Sequence, residues 1–388
     1  MTTFGRHLRP LWHLEPDGTF LNHGSFGACP RDVLAAQSAI REEMERQPDS
    51  FFRYKVSPRV ADNAIRAAAA RLGAFVGTTG ERIAFVSNAT EAVNTVLDTV
   101  SFKPGDEILV LDCVYNAVRL AAERTCQRTG ARLVKVALPV PLTANDVVER
   151  IADAAGSRTR LAIIDHISSP TAIVFPVAEI TRALKAKGVH VLIDGAHALG
   201  QLDLDLPAIG ADWYTANAHK WLYAPKGCAF LYAAADAPQP LPLSVSHWHD
   251  LGFPTAFDYV GTRDVSAFLS VPAALDFIDT FGAAEVRHYL HRLSRDGAEA
   301  MRALDVTPVA PDAMFAAMRT YILPQRRPAD PEDALKLMKA MWDDHRIQVA
   351  STTFQGHLQL RLSTQIYVER ADFDHAVDVL QRVGWPGR

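Results

Sequence analysis

From about Arg82 onward the chain alternates short β-branched apolar runs with stretches of helical periodicity, and few folds accommodate that alternation. IAFV at Ile83–Val86, EILVL at Glu107–Leu111, RLVKV at Arg132–Val136, LAIID at Leu161–Asp165 and VHVLID at Val189–Asp194 read as buried strands. DWYTAN from Asp212 and CAFLYA from Cys228 add two more. Between the runs lie the helical segments TEAVNTVLDTV, NAVRLAAERTCQRTG, LTANDVVERIADAAG and PVAEITRALKAKG, the second and fourth closing on glycine as helix C-termini do. Strands joined through helices run parallel, so the fold class is α/β, a doubly wound, mainly parallel sheet.

After Val265 the pattern changes. Longer amphipathic segments, AFLSVPAALDFIDTF and AAEVRHYLHRLSRDGAEAMRAL, precede short strand candidates around TYILP and LQLRLS, which predicts a smaller α+β unit. With 388 residues the chain exceeds the size at which one core stops growing. The expected division is a large domain over 17–264 and a small C-terminal domain over 265–388, joined by part of 1–16.

Composition narrows the function classes. An apolar share of 48% and a charged share of 22% are those of an ordinary globular protein. A formal charge of -4 gives no general attraction to nucleic acid or an anionic membrane, so neither is expected as a partner. The N-terminal stretch is broken by Arg6, His7, Arg9, His13, Glu15 and Asp17, so it has no signal-peptide core, and no apolar run approaches the ~18 residues of a spanning helix. Cys29, Cys113, Cys126 and Cys228 are scattered without CxxC pairing and read as reduced thiols of a cytoplasmic protein.

No G-x-G-x-x-G or G-x-x-x-x-G-K-[ST] follows a strand, which removes the main support for dinucleotide or nucleoside triphosphate binding. Ser246-His247-Trp248-His249-Asp250 puts its histidines at i and i+2, on opposite sides of an extended segment, so a polar loop or site rim is expected there and no metal.

Three segments carry chemistry. Asn217-Ala218-His219-Lys220 follows a strand, where a desolvated lysine amine becomes a nucleophile or carbonyl partner. Asp194 ends VHVLID, and ligands of open α/β sheets bind outside the carboxyl ends of strands. There it either caps a helix or meets a positive partner such as a protonated pyridinium nitrogen. Ser87-Asn88-Ala89-Thr90-Glu91 stands between a strand and a helix, with Asn88 or Thr90 as N-cap, an arrangement that simply caps or also binds phosphate.

Taken with Asp194-Gly195-Ala196-His197-Ala198-Leu199-Gly200 and Gly261-Thr262-Arg263-Asp264, these segments resemble the class V aminotransferases of pyridoxal-phosphate fold type I, over nearly the whole chain. The opening Phe20-Leu21-Asn22-His23-Gly24-Ser25-Phe26-Gly27 is most similar to the isopenicillin N epimerase-like branch, which is also similar to ergothioneine-pathway C–S lyases. The resemblance implies pyridoxal 5′-phosphate held as a Schiff base on Lys220, with Asp194 facing the pyridine nitrogen, Tyr115 stacking on the ring and His197 beside the phenolic oxygen. It implies a phosphate held by Asn88, Ala89, Thr90, Asn217 and His219. Thr262 would reach in from a neighbouring subunit, which implies a homodimer with shared active sites. Asn22, His23 and Arg361 fall at substrate positions, Arg361 as the fork for an α-carboxylate.

The expected function is therefore proton abstraction by Lys220 at the α-carbon of an amino acid, epimerase-like, with C–S β-lyase and then aminotransferase chemistry as alternatives. A pyridoxal-phosphate-fold binding or regulatory protein is the non-enzyme alternative. Epimerisation by two bases needs a second acid opposite Lys220, for which Tyr115 or His23 are candidates. Cysteine desulfurase chemistry is not expected, because Ile347 to Leu360 contains no cysteine.

Overall fold

The computed structural model describes residues 3–142 and 147–388. Seven strands form the large sheet: β1 (Ile83–Val86), β2 (Glu107–Leu111), β3 (Arg132–Val136), β4 (Thr159–Asp165), β5 (His190–Asp194), β6 (Trp213–Ala216) and β7 (Ala229–Ala233). Their spatial order is β1-β7-β6-β5-β4-β2-β3. The run from β6 to β3 is parallel throughout, and β7 is antiparallel to both β6 and β1. The sheet is the doubly wound, mainly parallel one that the alternation implied, and the architecture is that of pyridoxal-phosphate fold type I, as the resemblance implied.

Chain direction sets the position of the site. From β2 the chain moves outward to β3, whereas from β4 it moves the other way to β5 and β6. The segments leaving β2 and β4 therefore diverge and open a crevice at the carboxyl ends of the strands. Helices Ala89–Thr99 and Asn116–Thr129 pack on one face of the sheet and helix Val177–Lys185 belongs to the core on the other. With both faces covered, every residue of β1, β2, β5, β6 and β7 is buried except His190, and most of them are apolar.

RLVKV departs from expectation: β3 is mostly half-buried or exposed, because it forms the outer edge of the sheet. The segment predicted as LTANDVVERIADAAG is helical over Val147–Ala154, while 143–146 lie outside the described residues. AFLSVPAALDFIDTF is two helices, Ser266–Leu269 and Val271–Phe281, because Pro272 suits the first turn of a new helix and not the interior of a continuous one.

A second, antiparallel sheet has the order β10-β11-β9-β8, from β8 (Thr307–Pro308), β9 (Met318–Leu323), β10 (Ala350–Phe354) and β11 (His357–Ser363). β10 escaped the sequence reading because ASTTF lacks alternation and all five residues are half-buried. The N-terminal segment is sewn to this part of the chain. Gly5 N–H donates to Ile366 O at 2.9 Å, Arg6 pairs with Asp372 at 2.8 Å, and Thr19–Phe20 runs parallel to Ile347–Gln348. The ladder continues through Leu21, which donates to Gln348 O and accepts from Ser363 N–H. Among the described residues no single helix is long and apolar enough to cross a membrane.

Ile193, fully buried in β5 next to Asp194, tests how far the site leans on the sheet. Ile193→Ala should destabilise the apoprotein by ~2–5 kcal/mol, read as a lower urea midpoint with an unchanged m-value.

Candidate active site

Lys220 lies in a single helical turn, Ala218–Trp221, directly after β6. Its backbone carbonyl accepts from His23 Nε2 at 2.9 Å, which leaves His23 Nδ1 to accept from the Tyr367 hydroxyl at 2.8 Å. His23 is fully buried, and burial pushes its pKa down to about 3, so it is neutral. The expectation that His23 meets substrate or serves as a second acid is therefore corrected: both ring nitrogens are engaged behind the lysine. Gly27, at φ +68°, passes under the same turn, and a Cβ there would lie 2.2 Å from His219 O and 2.8 Å from Lys220 Cα. Only glycine permits that approach.

On the other side, Lys220 Nζ is 3.1 Å from His197 Nε2. Burial and then the nearby Arg361 push the amine down to about 7, with Asp194 opposing the shift. His197 is held neutral by burial and by the Lys220 and Arg361 charges, and its Nδ1 is buried with no hydrogen-bond partner among the described residues. Asp194 closes β5 as the sequence indicated, buried, with Oδ1 accepting from Ala196 N–H at 3.0 Å. Burial raises its pKa, opposed by the Ala196 N–H and by Lys220. Gly195 allows the strand end to pass over Tyr214, whose hydroxyl would be 2.2 Å from an added Cβ.

Asn88 is the N-cap of helix Ala89–Thr99, accepting from Glu91 N–H at 2.9 Å. Thr90 stands in the first turn. Asn217 ties this helix start to the end of β6 by accepting from Ala89 N–H at 2.9 Å. His219 Nδ1 is 2.9 Å from Cys228 O, so the ring is anchored beside Lys220.

Arg361 projects from β11 into the crevice, 6% exposed. One terminal nitrogen donates to Ser169 O and Oγ, the other to Ser25 Oγ at 3.0 Å, and Nε is buried without a hydrogen-bond partner among the described residues. Burial alone pulls the guanidinium down to about 10. No carboxylate of the described residues pairs with it, so the structural salt bridge that would be its ordinary explanation is missing. Ser25 also donates to Asn22 Oδ1 at 2.6 Å, and Asn22 donates to Val349 O at 3.3 Å. Asn22, Ser25, Tyr115, Ser169 and Arg361 line one cavity of about 510 Å³, with Ser351 to Phe354 of β10 as its outer wall. Tyr115 is 49% exposed there, at the N-cap of the helix after β2.

Thr262 is not brought to this place. It is exposed, its hydroxyl 2.9 Å from the Tyr259 hydroxyl, and it lines a separate cavity of about 800 Å³ with Phe52, Arg53, Tyr54, His247 and Trp248. Three neighbours escaped the sequence reading. Ser25 and Ser169 hold Arg361, and Asp165, at the end of β4, stands in register with Asp194. Asp165 carried a signal, since LAIID ends on the same residue as VHVLID. Cys113, remote in sequence from Arg361, lines the same cavity.

These residues fit pyridoxal phosphate by their own chemistry. Among the described residues the desolvated Lys220 amine has no acidic partner in contact and the buried Asp194 carboxyl no cationic one, and a helix start is tied to the same strand end. Lys220 would hold the aldehyde carbon, Asp194 the ring nitrogen, and the first turn of helix Ala89–Thr99 the phosphate.

The aminotransferase class-V family model matches residues 29–374. The chain is 31% identical over 402 residues to the probable L-cysteine desulfhydrase, chloroplastic, of Arabidopsis thaliana, covering 95% of this chain and 83% of that protein. It is 32% identical over 394 residues to the isopenicillin N epimerase of Amycolatopsis lactamdurans, covering 95% and 96%. Among solved structures, the complex between the cystine C–S lyase C-DES and its reaction product cysteine persulfide superposes with a TM-score of 0.79 at 22% identity, over 94% of this chain and 97% of that one. The chain therefore belongs to the class V aminotransferase family, and its cofactor is pyridoxal 5′-phosphate.

Proposed function

We propose that the protein is a C–S β-lyase acting on an L-amino acid that carries sulfur on its β-carbon. The observation that supports this reading is that one base, Lys220, is prepared at the crevice, while His23 is closed off behind it. Elimination needs a single base; two-base epimerisation needs a second acid on the opposite face. Tyr115 alone remains of the two candidates, and in the stacking position that the resemblance assigns it a tyrosine presents its ring face, not its hydroxyl. Epimerisation with Tyr115 as that acid is the second reading, and the similarity to isopenicillin N epimerase favours it.

When bound, the cofactor supplies an electron sink for the α-carbon. Arg361 orients the substrate α-carboxylate with a fork that Ser25 and Ser169 hold in place. Lys220, neutral above about pH 7, takes the α-proton from a position fixed by His197. The C–S bond then breaks, and sulfur leaves with the bonding electron pair into the cavity walled by Ser351, Thr352 and Thr353. Water converts the remaining three-carbon enamine to pyruvate and ammonia. Sulfur transfer to a protein thiol is not part of this reading. Cys113 is 3% exposed, and burial together with the nearby Asp165 raises its thiol far from the thiolate range.

Incubation in deuterated water with L-cysteine, L-cystine and cysteine S-conjugates should release pyruvate, ammonia and a sulfur product in equal amounts. Inverted, α-deuterated amino acid accumulating without pyruvate would instead establish epimerisation. Arg361→Met should lower kcat/KM by about 10- to 100-fold, mainly through KM, as expected for losing a charged hydrogen-bonded contact of ~1.5–3 kcal/mol. Because only the neutral amine attacks an aldehyde, capture of pyridoxal phosphate by the apoprotein should accelerate as pH rises through about 7. Stopped-flow absorbance measures the rate, and Lys220→Ala should form no visible band.

A further inference from the structure

Asp165 and Asp194 are direct register partners at the ends of the parallel strands β4 and β5. Residues so paired point to one face of the sheet, with backbones roughly 4.8 Å apart. Both are 3% exposed. Neither has an ion-pair partner among the described residues, and Asp165 Oδ2 is buried with no hydrogen bond. Two carboxylates that close, taken out of water and unpaired, do not both ionise.

We propose that Asp165 is a positioning residue that holds the proton of this buried carboxyl pair and so keeps Asp194 as its ionised member. The asymmetry comes from the surroundings. Asp194 receives the Ala196 N–H at 3.0 Å and feels the Lys220 charge, both of which favour its anion. Asp165 has backbone N–H groups, its own and that of Tyr115, but no nearby cation. Burial and the Asp194 charge raise Asp165 well above the usual carboxylate range, in the same sense.

The other groups around the pair do not supply the proton's place. From the segment after β2 come Asp112 and the raised Cys113 thiol; from β6 comes Tyr214, whose hydroxyl is 2.8 Å from His166 Nδ1; His197 and Arg361 close the crevice beyond Lys220. His166 and His197 are both held neutral by burial. With the proton on Asp165, the charge of the pair stays on Asp194, which faces the ring nitrogen in the cofactor reading. The inference rests on the cofactor reading only for what Asp194 faces, because the proton on Asp165 belongs to the apoprotein.

Two apoprotein measurements test it. The infrared spectrum of the wild-type apoprotein should keep a protonated carboxylic-acid band well above the pH at which exposed carboxylates ionise, and Asp165→Asn should remove it. A spectrum with no such band, or one unchanged in the variant, overturns the proposal. The second readout is linkage. Because the folded pKa of Asp165 is raised, its contribution to stability is present at low pH and fades as pH rises toward that value. The wild-type urea midpoint should therefore fall relative to that of Asp165→Asn between about pH 5 and 8; parallel curves overturn it. If the amide does not fit, Asp165→Ser must remove the same band.

Reconstitution supplies a separate reading. A neutral amide replaces a neutral acid, so the pH midpoint of the visible band in Asp165→Asn should stay within roughly 0.5 unit of wild type. A shift of about one unit or more would mean that a charge was removed beside Asp194, and the proposal fails. Apoprotein that takes up no pyridoxal phosphate would remove the cofactor reading, while the infrared and linkage results would still decide where the proton lies.

Discussion

Three ionisable groups, Lys220, Asp194 and Arg361, are taken out of water at one end of a parallel sheet, and the described residues give none of them an oppositely charged partner in contact. Burial of that kind costs several kcal/mol per group unless something compensates. The chain compensates with dipoles: Ala196 N–H for Asp194, the oxygens of Ser25 and Ser169 for Arg361, and a neutral imidazole for Lys220. A cofactor with an aldehyde, a basic ring nitrogen and a phosphate, and a substrate with a carboxylate, complete what these dipoles leave open. The rest of the fold is the apolar mass that keeps the three groups apart from water despite the cost.

Much of this was legible in the sequence, and the limits have physical reasons. Apolar runs report burial, so the central strands and the acid ending VHVLID could be placed, while β3, an edge strand of similar composition, read as if it were central. Periodicity says nothing about which strand ends lie side by side, so Asp165 was seen only as the end of a strand and not as the neighbour of Asp194. His23 sits in a motif that the sequence associates with the site, but a motif does not carry direction, and the ring turns inward to Lys220 O and Tyr367. Ser25, in the short helical turn His23–Phe26, and Ser169, in a turn, are small polar residues distinguished only by the guanidinium that reaches them.

Lys220 illustrates how neutral surroundings serve the chemistry. A lysine paired with a carboxylate would remain an ammonium and be useless as nucleophile or base near neutral pH. Here its close contact is His197, itself prevented from taking charge by burial. The carboxylate that does influence it, Asp194, opposes the downward shift without cancelling it. The amine is thereby poised between its two forms at about pH 7, where uptake and return of a proton are both inexpensive.

The segment from Thr19 to Gly27 connects these features mechanically. Thr19, Phe20 and Leu21 are laddered to Ile347, Gln348 and Ser363, so the segment moves with the small sheet that carries Arg361. Four residues later Ser25 grips the Arg361 guanidinium, between them His23 grips the carbonyl of Lys220, and Gly27 lies against the lysine turn with no space for a Cβ. The base and the carboxylate fork come from separate sheets, yet one short segment touches both. Their separation decides whether an α-carbon bound by its carboxylate lies within reach of the amine, a tolerance of about an ångström in enzymes of any kind. A motif that looks like a signature in the sequence is, in the folded protein, the strut that sets this distance.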